Sequence, residues 1–536
     1  MARERRAAPH SPPTRRTRRS TGPIAATAAL LLGVGLLTGP AAAAPAPASD
    51  KAAATPSATP LTPELERLRA EEARKLYGDP GERPLEERKT SLISLGDSQI
   101  SGEGVGNYEP GTDGPDNWCH RSPDVAVHRT GIDADVTYNV ACSGASSKNI
   151  RIGGEKQYAD ELVQSDSLAI TARNTRLKQI TLVVGANDDL QFGPVMTDCV
   201  VRWLTLQGPC QKKYEEGWQD RVDGLVPKVE ATVNDLKTVM RDAGYAEDDY
   251  QLVLMSYPSP IGPDFRDNPD FPGKLVCGGT GYDSDTAWGR DHAVPAFQKG
   301  LRTAAQNSGA TYLDASRLFH GHEVCTEDTR ARGLHLELDN PVPPDENTAR
   351  QSFHPNKRGH GAYAECLTQI YQAHGDGVRE ASCADQPGTG KPRVHPTAWD
   401  DEFTPLRNAA TGECLDAREG SSRNGTAVGG WKCADPGPDG QAGQRNQGWW
   451  LDGSNGSLVS ELSQDRCLDI PKGDITEGAE PTLYKCSGAD NQRFEHRADQ
   501  TIRPTTNPDL CLTLTTPESP LTLAPCTSTP TQHFTT

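Results

Sequence analysis

The alternation of apolar and polar segments between residues 88 and 383 predicts an α/β domain. Five short apolar runs have the length and composition of buried strands, and longer amphipathic segments lie between them. Strands that alternate with helices favour a parallel sheet with helices on both faces. The predicted strands are Ser91–Leu95, Val136–Val140, Ile180–Val184, Gln251–Met255 and Ala310–Leu313, and the clearest helices are Tyr214–Ala243, Val294–Ser308 and Gly359–His374.

Two segments flank this domain, and a spacer precedes the first of them. Residues 45–60 are rich in Ala, Pro and Ser and predict a disordered spacer. Thr62–Tyr77 has an N-cap threonine followed by proline and predicts a short helix, which either packs on the domain or belongs to a proregion. Ala384–Trp399 contains three prolines and two glycines, so we expect a linker that acts as a semi-rigid tether with little interface.

The pattern changes again after residue 400, where short apolar runs alternate with Gly, Asn, Asp, Ser and Thr. A Cys-Leu-Asp/Thr triplet, a second cysteine and a Gln-x-aromatic triplet follow one another three times at intervals of roughly 40–50 residues. One such repeat cannot bury its own apolar face. The sequence therefore predicts a closed all-β domain of three repeats over residues 400–536.

The amino terminus has the pattern of a secretory signal. Residues 1–19 carry seven arginines and one glutamate, Ile24–Leu37 is apolar, and small residues follow up to Ala44. An apolar run of this length falls short of the about 20 residues that span a bilayer, so a membrane anchor is the weaker alternative. We expect a signal peptide over residues 1–44, exported by the general route or by the twin-arginine route that Arg15-Arg16 and Arg18-Arg19 suggest.

Charge and cysteine content limit the partners and the location that this protein can have. The formal net charge of −18 argues against binding nucleic acid or anionic membranes through overall charge. All fourteen cysteines follow the predicted signal, which in a secreted chain indicates up to seven disulfides and an extracellular protein. No cysteine or histidine cluster has zinc spacing, so we expect no metal and no cofactor.

Candidate chemistry begins at Gly96-Asp97-Ser98, directly after the first predicted strand. A glycine allows a sharp turn, which leaves a serine hydroxyl exposed at the carboxyl end of the strand, where open α/β sheets keep their reactive groups. The alternative is that Ser98 only caps the next helix. The Gly102-x-Gly-x-Gly106 run nearby does not have the glycine spacing of a dinucleotide site.

Three later segments supply the partners that a serine nucleophile needs. Gly144 follows the second strand and allows a backbone N–H to approach an oxyanion, and Asn187 follows the third strand and offers an amide donor. His354 precedes Pro355 and the last helix, so its imidazole is placed to take the Ser98 proton. Each segment alone is weak evidence, but four of them in this order predict a catalytic serine.

Ser98, Gly144, Asn187 and His354 together resemble the four sequence blocks of the SGNH/GDSL hydrolase family, over about Ser91–Cys383. The resemblance implies a flavodoxin-like three-layer α/β/α fold over residues 88–383 that hydrolyses esters through an acyl-serine. It also implies an oxyanion hole made by the backbone of Ser98 and Gly144 and by the side chain of Asn187. The Gly-Glu-Gly after Ser98 and the Cys-His-Arg-Ser at Cys119 are similar to the secreted actinobacterial branch of lipases and esterases, which implies the pairs Cys119–Cys142, Cys199–Cys210, Cys277–Cys325 and Cys366–Cys383.

The chain departs from the family at one position. Many members carry an aspartate three residues before the histidine, where this chain has Gln351. By resemblance to members with a serine–histidine dyad, we expect the backbone carbonyl of Gln351 to orient His354. Asp345 and Glu346 are further candidates for the third group.

Residues 400–536 resemble a ricin-B-type β-trefoil lectin with the pairs Cys414–Cys433, Cys467–Cys486 and Cys511–Cys526. A sugar site needs a carboxylate, an aromatic face and an amide donor. The first two repeats have all three groups and the third has none of them, although Gly429 and Thr482 replace a glutamine that members often carry. The predicted carbohydrate-binding residues are Asp416, Trp431 and Asn446 in the first repeat and Asp469, Tyr484 and Asn491 in the second, with Thr513, Ala524 and Thr531 in the third.

These patterns predict a secreted, monomeric serine esterase with a carbohydrate-binding module. Because the module implies a substrate on or near polysaccharide, a carbohydrate esterase is the leading hypothesis. A lipase or phospholipase attached through its lectin domain is the alternative, and a carbohydrate-binding protein with an inactive hydrolase domain is a third from another class. The expected partners are an ester substrate and a carbohydrate, without nucleic acid or a transmembrane anchor.

Overall fold

The computed structural model describes residues 59–262, 281–324, 326–333, 350–435 and 445–536. The predicted signal peptide, most of the spacer and the pair Cys277–Cys325 lie outside these residues, as do Asp345 and Glu346. None of the described helices is long and apolar enough to cross a membrane.

A seven-stranded sheet forms the centre of the first domain, in the order β2-β1-β3-β4-β5-β6-β7. Neighbouring strands run parallel except for the last pair, β6 and β7, which form an antiparallel hairpin. The order 2-1-3-4-5 is that of the flavodoxin-like doubly wound fold, as the resemblance implies. The strands are β1 (Thr90–Gly96), β2 (Val136–Asn139), β3 (Arg176–Val183), β4 (Gln251–Met255), β5 (Thr311–Asp314), β6 (Glu380–Gln386) and β7 (Lys391–His395).

Helices cover this sheet, and one apolar core joins strands to helices. The leucine, isoleucine and valine side chains of the central strands are fully buried against the helices that follow them. The described helices are α1 (Pro63–Tyr77), α2 (Ser98–Ser101), α3 (Ser147–Ile150), α4 (Gln164–Asn174), α5 (Phe192–Leu204), α6 (Gln211–Tyr214), α7 (Trp218–Asp242), α8 (Asp283–Trp288), α9 (Val294–Ser308) and α10 (Lys357–His374).

Helix α1 packs on the α/β domain, which is one of the two outcomes that its sequence left open. The Arg69 guanidinium donates to the Asn174 side chain at 3.3 Å, and the Tyr77 hydroxyl donates to the Asn174 carbonyl at 2.8 Å. Thr62 caps the helix as predicted, because its hydroxyl accepts from the Leu65 N–H at 3.3 Å. Residues 62–77 are therefore an outer layer of the domain.

The second domain is all-β and contains three disulfide-bridged hairpins. Each hairpin joins the strand of a Cys-Leu-Asp/Thr triplet to the strand that ends near the second cysteine, and a shared leucine-rich core fills the space between them. This is the predicted β-trefoil. Its strands are β8 (Thr404–Pro405), β9 (Arg407–Asn408), β10 (Cys414–Ala417), β11 (Thr426–Trp431), β12 (Gly448–Leu451), β13 (Leu458–Ser460), β14 (Arg466–Asp469), β15 (Thr482–Lys485), β16 (Phe494–His496), β17 (Ile502–Pro504), β18 (Leu510–Thr513), β19 (Thr522–Pro525) and β20 (Phe534–Thr535).

Six disulfides link cysteines of the described residues, and each pairing is one that the resemblances imply. They are Cys119–Cys142, Cys199–Cys210, Cys366–Cys383, Cys414–Cys433, Cys467–Cys486 and Cys511–Cys526.

The segment Ala384–Trp399 is not the linker that its prolines and glycines predict. It completes β6, turns, and returns as β7, so that it extends the sheet by an antiparallel hairpin. Pro392 fits in β7 because this is the edge strand, whose outer edge needs no ladder partner, and Pro387 and Pro396 lie in the turn before β7 and the bend after it. The chain then enters the trefoil at Trp399, which is 2% exposed and packs in an apolar cluster with Phe403, Trp450 and Val459.

Polar groups also join the two domains. The buried Arg290 donates to the carbonyl of Leu462 at 3.2 Å and to the hydroxyl of Ser463 at 3.0 Å. The Gln464 N–H donates to Nδ1 of His320 at 3.2 Å. The expected semi-rigid tether with little interface is therefore wrong, because apolar and buried polar contacts dock the trefoil on the α/β domain.

Candidate active site

Ser98 stands at the carboxyl end of β1, where the sequence predicts a sharp turn. Gly96 has φ of +135°, and a Cβ there would lie 2.0 Å from the carbonyl oxygen of Val183, so no other residue fits. Asp97 then caps α2 by accepting from the Gln99 N–H at 3.0 Å. Ser98 is the first residue of α2 rather than its cap, and its side chain is nearly buried.

His354 meets Ser98 from the loop before α10. Its Nε2 lies 2.8 Å from the Ser98 Oγ, and its Nδ1 lies 3.1 Å from the Ser352 carbonyl oxygen. Because a carbonyl only accepts, Nδ1 carries the proton and Nε2 accepts from the serine hydroxyl. This tautomer lets His354 remove the proton of Ser98.

The carbonyl that orients His354 belongs to Ser352, so the prediction of Gln351 for this role is wrong. The Gln351 side chain instead accepts a hydrogen bond from Arg332 at 2.7 Å. Backbone pairing explains the geometry, because the Arg332 N–H donates to the His354 carbonyl and the Phe353 N–H donates to the Arg332 carbonyl, each at 2.8 Å. Phe353 has φ of +65°, a left-handed conformation by which the loop turns between the carbonyl of Ser352 and His354.

The two predicted oxyanion segments lie against each other. Nδ2 of Asn187 donates to the carbonyl of Ala145 at 3.0 Å, which joins the turn after β3 to the turn that contains Gly144. The Cys142 N–H donates to the Gly96 carbonyl at 3.0 Å, which fixes the same turn beside the end of β1. Gly144 has φ of +81° and is exposed, and an added Cβ there would make ordinary van der Waals contact with the Gln157 side chain at 3.5 Å.

Burial sets the electrostatics of the site. It lowers the pKa of His354 below the usual 6.5, and the negative charge of Glu103 works against that shift. It raises the pKa of Asp97 to about 7, although a hydrogen bond of 2.5 Å from the Tyr257 hydroxyl favours the charged form. His354 is therefore neutral at neutral pH, as a general base must be.

A buried carboxylate that the sequence analysis did not single out lies next to this dyad. Glu103, in the Gly-Glu-Gly segment, is fully buried and accepts from Nδ1 of His120 at 2.8 Å. The Gly-Glu-Gly segment contributes to the family resemblance and lacks dinucleotide spacing, but no sequence pattern marks Glu103 itself as part of the site. The role of the Ser352 carbonyl had no signal, because any residue carries a backbone carbonyl.

Among the described residues, one group of three potential metal ligands comes together, formed by Cys199, Cys210 and Asp285. The two cysteines form a disulfide, so their sulfurs are not available as thiolates.

In the second trefoil repeat the three predicted sugar ligands come together. Asp469 accepts from the Asn491 amide at 2.9 Å and from the Gln492 amide at 2.8 Å. The Tyr484 side chain is 48% exposed. Asp469, Tyr484 and Asn491 all line a cavity of about 900 Å³, as does Lys472. An aromatic face beside a fixed carboxylate and amide can bind the ring and hydroxyls of a sugar.

The first repeat has the same arrangement with one difference. Asp416 accepts from Asn446 and from Gln447, both at 2.9 Å, and the Trp431 ring is 44% exposed. The Arg418 guanidinium lies 5.3 Å from the centre of the Trp431 ring and covers part of its face. The first site is therefore partly occupied by its own arginine.

The substitution of Gly429 for the usual glutamine has a steric cause. A Cβ at Gly429 would lie 2.5 Å from the Ser519 carbonyl and 2.7 Å from the Arg418 guanidinium, so no side chain fits there. Thr482 occupies the equivalent position of the second repeat, where it pairs with Asp469 across the hairpin.

The third repeat retains only the structural part of the arrangement. Gln532 donates to the Thr513 hydroxyl at 3.2 Å, as the glutamines of the other repeats donate to aspartates. Ala524 occupies the position of the aromatic residue. Thr531 occupies the position of the asparagine, and its hydroxyl forms a hydrogen bond with the Thr529 hydroxyl. In the first two repeats the glutamines of the Gln-x-aromatic triplets thus fix the carboxylates of the predicted sugar ligands Asp416 and Asp469.

Family models match both domains. The model of the GDSL-like lipase/acylhydrolase family matches residues 94–362. A model of the ricin-type β-trefoil lectin domain matches residues 454–536, and a model of ricin-type β-trefoil lectin-like domains matches residues 393–484.

Individual proteins are similar to each of the two domains. Lipase 2 of Streptomyces coelicolor is 27% identical over 241 residues, which cover 44% of this chain and 72% of that protein. The extracellular lipase from Streptomyces rimosus is 21% identical with a TM-score of 0.35, covering 52% of this chain and 98% of that structure. The C-terminal half of the earthworm R-type lectin, solved with GalNAc, is 19% identical with a TM-score of 0.20, covering 25% of this chain and 96% of that structure.

Proposed function

This chain belongs to the GDSL-like lipase/acylhydrolase family, and on that premise we propose that it is a secreted serine esterase that removes acyl groups from carbohydrate. The observation that carries the proposal is the hydrogen bond of 2.8 Å between Nε2 of His354 and Oγ of Ser98. It supports Ser98 as the nucleophile and His354 as the general base. The six disulfides of the described residues support export, because such bonds persist in oxidising compartments.

The reaction then follows the acyl-serine path. Oγ of Ser98 attacks the ester carbonyl while Nε2 of His354 takes its proton, and the tetrahedral oxyanion is held by the backbone of Ser98 and Gly144 and the amide of Asn187. His354 returns the proton to the leaving alcohol, and the acyl-serine remains. Water, deprotonated by His354, hydrolyses the acyl-serine, releases the acid and restores Ser98.

The trefoil supports carbohydrate as the setting of this reaction. Its second repeat presents Tyr484 and the hydrogen-bonded pair of Asp469 and Asn491 at an open cavity. Because the trefoil is docked on the hydrolase domain, a bound polysaccharide is held at a fixed position relative to Ser98. We therefore propose that the trefoil retains the polymer on which the esters are cleaved.

A lipase is the second candidate, and one surface favours it. Helix α5 begins five residues after Asn187, and its apolar side chains Val201 and Leu204 are 44% and 58% exposed, as is Leu206 beyond it at 86%. Exposed apolar surface on the helix that follows the Asn187 turn fits contact with an acyl chain or a lipid aggregate. The likeness to Lipase 2 points the same way.

An ester panel separates these functions. Para-nitrophenyl esters of increasing acyl length are compared with acetylated xylan and emulsified triglyceride. The carbohydrate esterase predicts acetate release from xylan and a preference for short chains, whereas the lipase predicts rates that rise with chain length. Fluorophosphonate labelling should occur at Ser98 and vanish in Ser98→Ala but not in Ser101→Ala, a matched substitution in the same helix. Absence of labelling and of turnover would support the third reading, a carbohydrate-binding protein with an inactive hydrolase domain.

A further inference from the structure

The Gly-Glu-Gly segment after α2 packs directly on the loop of His354. Gly104 has φ of +84°, and a Cβ there would lie 3.0 Å from the Cβ of His354 and 3.2 Å from the Gln351 carbonyl. Gly102 has φ of +127°, and a Cβ there would lie 2.8 Å from the His120 carbonyl. Neither glycine has room for a side chain, so Glu103 between them is fixed between the His354 loop and the segment of His120.

Glu103 is a charged group in a place where charge is costly. Its side chain is 0% exposed, and burial of an ionised carboxylate requires compensation by hydrogen bonds or opposite charge. Nδ1 of His120 provides a hydrogen bond of 2.8 Å to Oε2, whereas the buried Oε1 has no hydrogen-bond partner among the described residues. Although burial opposes ionisation, the hydrogen bond from His120 and the nearby charges of His354 and His120 lower the pKa of Glu103, so it is a carboxylate at neutral pH.

His120 is itself held from several sides. Its Nε2 lies 3.1 Å from Asp113, and its ring stacks on the Tyr108 ring with centroids 4.3 Å apart. The Trp118 ring packs edge-on against it at 5.6 Å. A histidine fixed in this way holds the carboxylate of Glu103 in one position.

The dyad lacks the negative charge that a triad aspartate supplies. The Ser352 carbonyl orients His354, but a neutral dipole stabilises an imidazolium less than a carboxylate does. We propose that Glu103 is a positioning residue that supplies this charge through space, stabilising protonated His354 while His120 holds Glu103 in place. The inference rests on the proposed ester hydrolase function, in which the Ser98 proton moves to Nε2 of His354 and then to the leaving alcohol.

Other charged or titratable groups also surround His354 in the described structure. The positive charge of His120 lowers the pKa of His354, but it follows Glu103 in the size of its effect. His360 in α10 is fully buried, and its pKa is lowered to about 3, so it stays neutral. Arg332 lies beside the loop through two backbone hydrogen bonds. The compensating negative charge that acts on a His354 imidazolium is therefore that of Glu103, whose neighbour Gly104 packs against the Cβ of His354.

The test compares Glu103→Gln with Glu109→Gln, a matched control that removes a 40% exposed carboxylate of the same segment, one that pairs with Arg121 instead of His120. In Glu103→Gln we expect kcat/KM on a short soluble ester to fall about tenfold or more and its acid limb to move about one pH unit lower. Removal of a negative charge near a base lowers the pKa of that base, which gives the direction. Glu109→Gln should leave the limb in place.

A second measurement does not depend on turnover. In a Ser98→Ala background, the ring protons of His354 are titrated by NMR with and without Glu103→Gln, and the substitution should lower the pKa of His354. If the wild-type protein hydrolyses no ester, the proposed function fails while this titration still decides the role of Glu103. If Glu103→Gln does not fold, Glu103→Asp, which keeps but retracts the charge, should lower the pKa by a smaller amount. An unchanged pKa of His354 in a folded variant would overturn the proposal.

Discussion

The ring of Trp450, in the trefoil, packs edge-on against Trp399, the residue that ends the hairpin segment of the α/β domain, with centroids 5.5 Å apart. His395 of β7 packs against both rings, at 5.0 and 4.9 Å. The contact turns a stretch of sequence with the composition of a linker into part of a shared core.

Trp450→Ala should destabilise the whole protein by about 3–5 kcal/mol, because it removes a buried aromatic side chain and leaves a cavity. Trp431→Ala is the matched control, since that ring is 44% exposed and contributes little burial. Thermal denaturation followed by circular dichroism measures both. Equal melting temperatures for the two variants would mean that the interdomain cluster contributes no stability.

Deletion of residues 400–536 should impair hydrolysis of a small soluble ester, contrary to what a flexible tether predicts. The truncated chain exposes Trp399, Arg290 and His320, which are otherwise buried at the interface. His320 belongs to a loop that continues to Arg332, which pairs with the His354 loop. The measurement is kcat/KM together with solubility and melting temperature. A soluble truncated enzyme with full kcat/KM and unchanged melting temperature of the α/β domain would restore the tether model.

Gln351→Ala should lower kcat/KM by less than about tenfold, because the acceptor that orients His354 is the Ser352 carbonyl and survives the substitution. His354→Ala should cost about a thousandfold or more, nearly the same as Ser98→Ala, since the two residues act as one unit. Both values of kcat/KM are measured on a short-chain ester at a pH above the acid limb, where His354 is deprotonated. Comparable losses for Gln351→Ala and His354→Ala would assign the third role to the glutamine side chain.

Activity should fall on acidification with an apparent pKa below 6.5. Burial lowers the pKa of His354, so the neutral base persists to a lower pH than an exposed histidine would allow. As pH drops through that pKa, His354 gains a proton and can no longer accept one from Ser98. The acid limb of kcat/KM measures this value. A limb centred above 7 would show that the charge of Glu103 outweighs burial.

Tyr484→Ala should weaken polysaccharide binding about tenfold or more, because it removes the aromatic face of the second site while the exposed position leaves the fold intact. Thr513→Ala in the third repeat should leave binding unchanged. Asp416→Ala should have a smaller effect than Asp469→Ala, since Arg418 already covers the Trp431 ring of the first site. Affinity electrophoresis in soluble polysaccharides gives the three comparisons. A larger loss from Asp416→Ala than from Asp469→Ala would reverse the assignment.

Sequence patterns predicted the fold where the pattern was long and regular. The alternating strands and helices gave the parallel sheet, and the triplicate Cys-Leu-Asp/Thr and Gln-x-aromatic elements gave the trefoil. The hairpin of β6 and β7 was missed because proline and glycine read as loop residues, whereas an edge strand tolerates them.

At the site, side chains were predictable and backbone groups were not. Ser98 and His354 stand where their glycine and proline neighbours place them. The left-handed conformation of Phe353 places the carbonyl of Ser352, rather than that of Gln351, against Nδ1 of His354. A phenylalanine gives no sign of this conformation in the sequence. Glu103 owes its position to long-range contacts with His120, and no local pattern encodes them.

The glutamine of the third repeat has a consequence for how carbohydrate recognition is gained and lost. Gln532 still donates a hydrogen bond to Thr513 in its hairpin, although the third repeat has none of the predicted sugar ligands. The hydrogen bond between Gln532 and Thr513 therefore stabilises the fold of the repeat. Carbohydrate recognition requires three further side chains. Replacement of Thr513, Ala524 and Thr531 alone should therefore suffice to add a third sugar site, because the hairpin that carries them is already formed.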